Sequence, residues 1–333
     1  GGDGQDPDPL VEDFGIAFVA RPVALDDEGE PVQSDIREVL TFNPGGDLYY
    51  RDQASPSAPE RNLTASYTGG MGDVKDVEVS YDGEKLLFAM RAPEIEGADP
   101  EDQPTWNIWE YEIASNQLRR IIPSDITAEA GQDIAPCYLP DGRIIFSSTR
   151  QRQTGAILLD EGKPQFPTLD EDIREPAAVL HVMNADGSDI HQVSFNQSHD
   201  LDPVVLSSGE VVFSRWDGIG NRNTISLYTM QPDGTELEIL YGAHSHEIDN
   251  IDRSGIHFLQ PREREDGRLS SIFMRLSDTY RGGDLVVIDT PNYIDRDQPT
   301  AANEGILSGP GHVSVTVNVS NEIDTDTLEP LPS

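Results

Sequence analysis

The sequence predicts an all-β fold, a β-propeller of four-stranded antiparallel blades, on three observations. One passage recurs: "DVEVSYDGEKLLFAMR" (residues 76–91), "DIAPCYLPDGRIIFSSTR" (133–150) and "DPVVLSSGEVVFSR" (202–215). Each copy has an apolar run, a Gly-containing turn, a second apolar run reaching a Phe, and an Arg soon after. A second hairpin pattern follows every copy after an insert of variable length. Finally, no amphipathic helical stretch of about twelve residues or more competes with the strands. Copies about 60 residues apart are the mark of one unit used repeatedly. A lone four-stranded blade cannot bury both faces, so such units stack around an axis.

The elements follow in chain order. Residues 45–64, "GGDLYYRDQASPSAPERNLT", read as an outer hairpin alone. The three clear copies have first strands "VEVSY", "PCYLP" and "PVVLS" and second strands "EKLLFAM", "RIIFSS" and "EVVFSR". Between them lie Asp82-Gly83, Asp141-Gly142 and Ser208-Gly209, hairpin signals because Gly accepts the positive φ of a tight turn. The second hairpins are residues 106–122, 178–194 and 225–240. In these, Leu180, Val182, Ile225 and Leu227 take one face, while His181, Met183, Ser226 and Tyr228 take the other, the alternation of a strand. A more decayed unit covers 250–263 and 284–292, which makes about five blade-like units. The expected division is a flexible tether over 1–14, a propeller over 15–300, and over 301–333 a C-terminal extension or the start of a further blade or domain.

Composition narrows the partners. Against 23 Lys plus Arg stand 61 Asp plus Glu, a net charge of −38. Such a field repels phosphate backbones and anionic lipid and leaves cations, divalent metals included, as the natural small partners. Cys137 is the only cysteine, so there is no internal disulfide and no CxxCH for covalent haem. No apolar run is long enough for a membrane-spanning helix. The first residues, "GGDGQDPDPLVEDFG", read as a processed terminus and tether. A lipid-bearing Cys just before Gly1 is compatible with that reading, and a periplasmic or extracellular place is expected.

The passage "LPDGRIIFSSTR" followed by "LHVMNADGSDIHQVS" resembles the PD40, or TolB-like, propeller repeat, a likeness covering about residues 73–247. More specifically, "NPGGDLYYRDQASPSAPERNLT", "GAHSHE" and "FLQPREREDGRL" are similar to exported proteins related to the hydrazine synthase α-subunit. That resemblance implies an N-terminal propeller followed by a middle domain and often a c-type haem domain. With no haem motif here, the electron-transfer chemistry does not carry over to this chain alone. The final "VSVTVNVSNEIDTDTLEPLPS" breaks off at a Pro-Ser, where the repeat elsewhere leads into its turn. A longer native chain is the expectation.

Calling the strands of a blade a to d, the a–b and c–d turns share one end of the propeller, and the b–c and d–a connections the other. The long inserts, residues 92–105, 151–177 and 216–224, all fall at the second end. Elaborated loops on a rigid scaffold are where binding is usually placed. The same end receives His199, Asp200 and Asp202 from "SHDLD" and His244, His246, Glu247 and Asp249 from "GAHSHEIDNID". Asp133 and Cys137 of the first innermost strand add to the set near the axis. The metal candidates are therefore His244, His246, Glu247, His199, Asp200 and Cys137, for Zn²⁺ or another divalent ion. Structural bonding of the histidines and simple burial of Cys137 are the competing readings. Arg91, Arg150 and Arg215 are expected to pair with Asp76, Asp133 or Asp202 as blade-to-blade ties. No GxSxG elbow supports a hydrolase. Two functions stand: an exported propeller scaffold whose decorated end holds a partner, domain or ligand, or the propeller portion of a hydrazine synthase α-like oxidoreductase, its metal or haem supplied by another domain or chain.

Overall fold

The structure, a computed structural model, describes residues 14–33, 35–55, 57–163, 169, 176–217, 224–242, 257–274, 283–292 and 311–316. Among them the strands form five blades of an all-β propeller. Blade 1 holds β1 (Ile16–Ala20), β2 (Asp47–Arg51) and β3 (Glu60–Asn62). Blade 2 holds β4 (Asp73–Val79), β5 (Lys85–Arg91), β6 (Asn107–Glu112) and β7 (Gln117–Arg120). Blade 3 is β8 (Asp133–Tyr138), β9 (Ile144–Ser148), β10 (Val179–Met183) and β11 (His191–Gln192). Blade 4 is β12 (Asp200–Val205), β13 (Val211–Asp217), β14 (Thr224–Met230) and β15 (Glu238–Tyr241). Blade 5 is β16 (His257–Glu263), β17 (Leu269–Met274), β18 (Asp284–Ile288) and β19 (His312–Ser314). Every pairing within a blade is antiparallel, in the order a-b-c-d. Since β19 completes blade 5, the propeller runs past the boundary expected at residue 300. The tether expected over 1–14 lies almost wholly outside the described residues.

The recurrent Phe explains why strand b is the spine of a blade. Phe88, Phe146 and Phe213 are all fully buried, each worth about 2–3 kcal/mol of apolar burial. The residue after Phe makes the tie to the next blade. Ser147 Oγ donates to the Asp200 carbonyl at 2.7 Å, and Ser214 Oγ to the Phe258 carbonyl at 2.8 Å. In blade 2 that position is Ala89, and the bridge to blade 3 is made elsewhere: Tyr138 Oη donates to Glu110 at 2.9 Å while Arg119 pairs with the same carboxylate at 2.7 Å.

The strand β1 and the connection after it were not legible as a blade element. That connection, residues 21–46, crosses the decorated mouth of the axis and is held there by specific contacts. Trp106 Nε1 donates to the Leu40 carbonyl at 3.1 Å, and Lys75 Nζ donates to the Val39 carbonyl while lying over the Trp106 ring. Ile36, Val39 and Leu40 pack on the central apolar cluster that contains Trp106, Ile134 and Leu259.

Candidate functional site

All four inner strands among the described residues break register at the same place. The bulges fall between Lys75 and Glu78, Ile134 and Cys137, Leu201 and Val204, and Leu259 and Arg262. In each, the first bulged residue has positive φ: Asp76 (58°), Ala135 (47°), Asp202 (52°) and Gln260 (49°). Non-glycine residues visit that region rarely, and a bulge re-aims a side chain off the pleat. Here it turns Asp76 and Asp202 toward the axis. Asp76 Oδ2 accepts from the Ala135 amide at 2.9 Å, and Asp202 Oδ2 from the Gln260 amide at 2.9 Å. The bulge residue of one blade thus reaches the bulge amide of the next.

Two cavities meet at this waist. The one toward the decorated end has a volume of about 280 Å³ and is bounded by the residue 21–46 connection with Lys75, Asp76, Asp202 and Gln260. The other, about 210 Å³, runs toward the plain end and includes Val19, Glu78 and Arg262. Arg262 and Glu78 pair across it at 2.8 Å, linking blades 5 and 2.

Burial and the facing charge of Asp76 push the Asp202 carboxyl up to about 6 from its ordinary 3.8. Between about pH 4 and 6 the folded state therefore holds a proton that the unfolded chain has released. The stability contributed by the protonated group is fully present below pH ~4 and is lost as pH rises through about 6. Asp202→Asn keeps an acceptor for Gln260 without the charge. It raises stability by about 1–2 kcal/mol at pH 7, with the partly exposed site discounted, and leaves it unchanged at pH ~4. Urea midpoints at the two pH values check this, and an equal effect at both would refute it.

The metal candidates are dispersed in the bonding they make. His199 is fully buried, accepts at Nδ1 from the Ala178 amide at 3.0 Å and lies 5.6 Å from the Trp216 ring. Asp200 receives Arg215 on both oxygens (2.7 and 2.9 Å), Ser194 Oγ at 2.6 Å and Asn196 Nδ2 at 3.1 Å. Its carboxylate is saturated. Cys137 is buried in the apolar layer with Leu139, Ile145 and Phe213, where burial pushes the thiol up to about 12. His244, His246, Glu247 and Asp249 lie outside the described residues. Among the described residues, no three His, Cys, Asp or Glu side chains converge as a metal would need.

The expected arginine ties need correction in part. Arg150 does pair with Asp133, but within its own blade. Arg215 takes Asp200 rather than Asp202, because the bulge swings Asp202 to the axis. Arg91 donates to the Pro104 carbonyl at 2.7 Å and covers the Phe42 ring. An arginine tie between blades is made instead by Arg21 of blade 1 on Asp73 of blade 2, at 2.8 Å through Nε.

Comparison with known proteins adds the fold's relatives. No described family matches the chain, and no curated protein does. Among solved structures, hydrazine synthase from Kuenenia stuttgartiensis is similar at 16% identity with a TM-score of 0.63, covering 93% of this chain and 40% of that one. TolB from Acinetobacter baumannii is similar at 12% identity with a TM-score of 0.42, covering 74% of this chain and 46% of that one. The present chain thus spans less than half the length of either. No described helix is long and apolar enough to cross a membrane. The shared feature is the fold: the chain is a β-propeller similar in structure to part of hydrazine synthase.

Proposed function

We propose that this propeller is a binding scaffold whose decorated end seats a partner, a neighbouring domain or a ligand through a basic or cationic group. The observation that carries the reading is the axial mouth itself: a cavity of about 280 Å³ where the four carboxylates of Asp35, Glu38, Asp76 and Asp202 outnumber the cations Arg21 and Lys75, beside apolar Val32 and Ile36. A mouth of that sign on a chain of net charge −38 attracts cations and rejects phosphates. The rigid blades hold it, and the inserts around it are free to supply specificity. Export is part of the proposal, because the acidic surface suits an extracytoplasmic medium.

Photo-crosslinking in the native cell tests it. A photoreactive residue in place of exposed Glu96, on the 92–105 insert, should yield a defined adduct, whereas one in place of exposed Glu84, at an a–b turn, should not. Adducts from Glu84 alone, or none from either, would overturn the reading.

A second reading takes the same scaffold as part of a hydrazine synthase α-like oxidoreductase, with a metal at His244, His246 and Glu247 or a haem on another domain or chain. The sequence likeness in "GAHSHE" and "FLQPREREDGRL" favours it. Stoichiometric Zn²⁺ or another transition metal in purified protein, released by His244→Ala with His246→Ala, would move the assignment there.

A further inference from the structure

The connection over the axial mouth, described over residues 21–33 and 35–46, is fastened at both ends to one buried carboxylate. Arg21 sets Nε and Nη2 on the two oxygens of Asp73, at 2.8 and 2.5 Å, and the Asn43 amide donates to Oδ2 at 2.7 Å. Asn43 Nδ2 closes the neck by donating to the Pro22 carbonyl at 2.5 Å. A loop whose ends meet at one point can swing about that point as a unit.

The far side of the loop is held more lightly. Two neighbouring carbonyls, Val39 and Leu40, are caught by two donors of blade 2, Lys75 Nζ and Trp106 Nε1. The Lys75 ammonium also lies 4.4 Å from the centre of the Trp106 ring, a cation–π contact. Under the loop, Ile36, Val39 and Leu40 are only partly buried, whereas Trp106, Ile134 and Leu259 beneath them are buried. On its outside, Leu25 and Val32 are each 47% exposed. A segment with so little buried apolar surface belongs to the low end of local stabilities.

We infer that this loop is a lid on the 280 Å³ axial cavity, hinged at Asp73, latched by Lys75, and released when another cation takes the place of that lysine on the Val39 carbonyl and the Trp106 ring. The release step rests on the reading of the mouth as a seat for cationic groups; the hinge and the latch do not. Among the described residues two cations line the cavity. Arg21 is committed to Asp73 at the hinge, and Lys75 is the one that reaches the rim of the loop. An entering amine carries the same ammonium group, is drawn in by Asp35, Glu38, Asp76 and Asp202, and competes for the same two partners.

The loop carries its own reporter. Arg37 is the only Lys or Arg between residues 22 and 50, and in the closed loop its Nε donates to Asp35 at 2.8 Å. Trypsin has to draw out the residues around a bond before cutting it, so cleavage after Arg37 follows the population of the open lid. In the full 333-residue chain, Lys75→Met should speed that cleavage at least about tenfold. Lys75→Arg, which keeps a cation for the ring, should stay within about twofold of the wild type. Cuts after Arg150 and Arg215, whose side chains are buried, report unfolding of the blades and should not accelerate. On the wild-type chain, propylammonium chloride should speed the cut after Arg37 beyond sodium chloride at equal ionic strength, and on Lys75→Met it should add nothing. Each rate is divided by that on a chromogenic arginine substrate in the same solution, so that inhibition of trypsin by the amine cancels. Equal cleavage of the wild type and Lys75→Met, or cuts after Arg150 and Arg215 that rise in step, would overturn the lid. Propylammonium that merely matches sodium chloride, with the Lys75→Met loop open, would overturn the cationic release and leave the lid; the crosslinking at the 92–105 insert still judges the mouth on its own.

Discussion

Replacing Asp133 by Ala lowers stability by about 3–5 kcal/mol, the range for removing one partner of a buried ion pair. Arg150 and Asp133 have side chains 1% and 0% exposed. The guanidinium places Nε on Asp133 Oδ1 at 2.9 Å and Nη2 on the other oxygen, and spends its remaining donors on the Thr127 and Ala128 carbonyls. It therefore fastens the short helical turn of the d–a connection, residues 125–128, to the head of the inner strand. Without the carboxylate, a positive charge stays in the interior with only carbonyl dipoles to oppose it. Arg150→Met in addition to Asp133→Ala should restore a good part of the loss, since an apolar pair of similar volume carries no desolvation cost. A double-mutant cycle from urea midpoints measures both effects. The exposed Asp266–Arg268 pair is the control, and Asp266→Ala should leave the midpoint where it was. An Asp133→Ala midpoint equally unmoved would mean that the buried pair is not a tie at all.

Those contacts show what the sequence could and could not express. The blades were legible because period-two alternation, Asp-Gly turns and a recurrent Phe are local signals written three times over. Strand β1 was not, since its five residues, paired among the described residues with β2, carry no Gly-turn repeat of their own; only the Phe-x-x-Arg spacing shared with residues 88–91 marks them. The cap over the axis, residues 21–46, is held by backbone carbonyls of Val39 and Leu40 meeting Lys75 and Trp106. Carbonyl acceptors have no residue-type signature. Asp202 was visible as an acid near the metal candidates, but its role depends on a bulge that rotates one residue off the pleat. The repeated acceptor-Pro step at Asp202-Pro203 and Gln260-Pro261 was the available signal. Asp200, read as a metal ligand, lies two residues earlier in the chain, and the two are parted by that rotation: one is sealed beneath Arg215 and the other faces the axis.

Gly234→Ala should cost about 3 kcal/mol or more, while Gly142→Ala should cost only about 1 kcal/mol, although both glycines follow an Asp in a hairpin turn. Their φ values are nearly equal, 87° and 88°, so the backbone strain of an Ala is common to both. The surroundings differ. Around Gly142, in the a–b turn of blade 3, a Cβ would meet nothing within 4 Å. At Gly234, in the c–d turn of blade 4, it would lie 3.0 Å from the carbonyl carbon of Val193 and closer still to its oxygen. Gly187 repeats the arrangement one blade earlier, with a Cβ 2.8 Å from Ile122 Cα. The c–d turns therefore rest on the end of the preceding blade's outer strand, backbone against backbone, and an added methyl must push two blades apart. Overpacking of that kind adds to the shared strain. Thermal or urea unfolding of the two variants separates the terms: equal losses would show that turn conformation alone selects the glycines, and that the outer turns do not serve as contacts between blades.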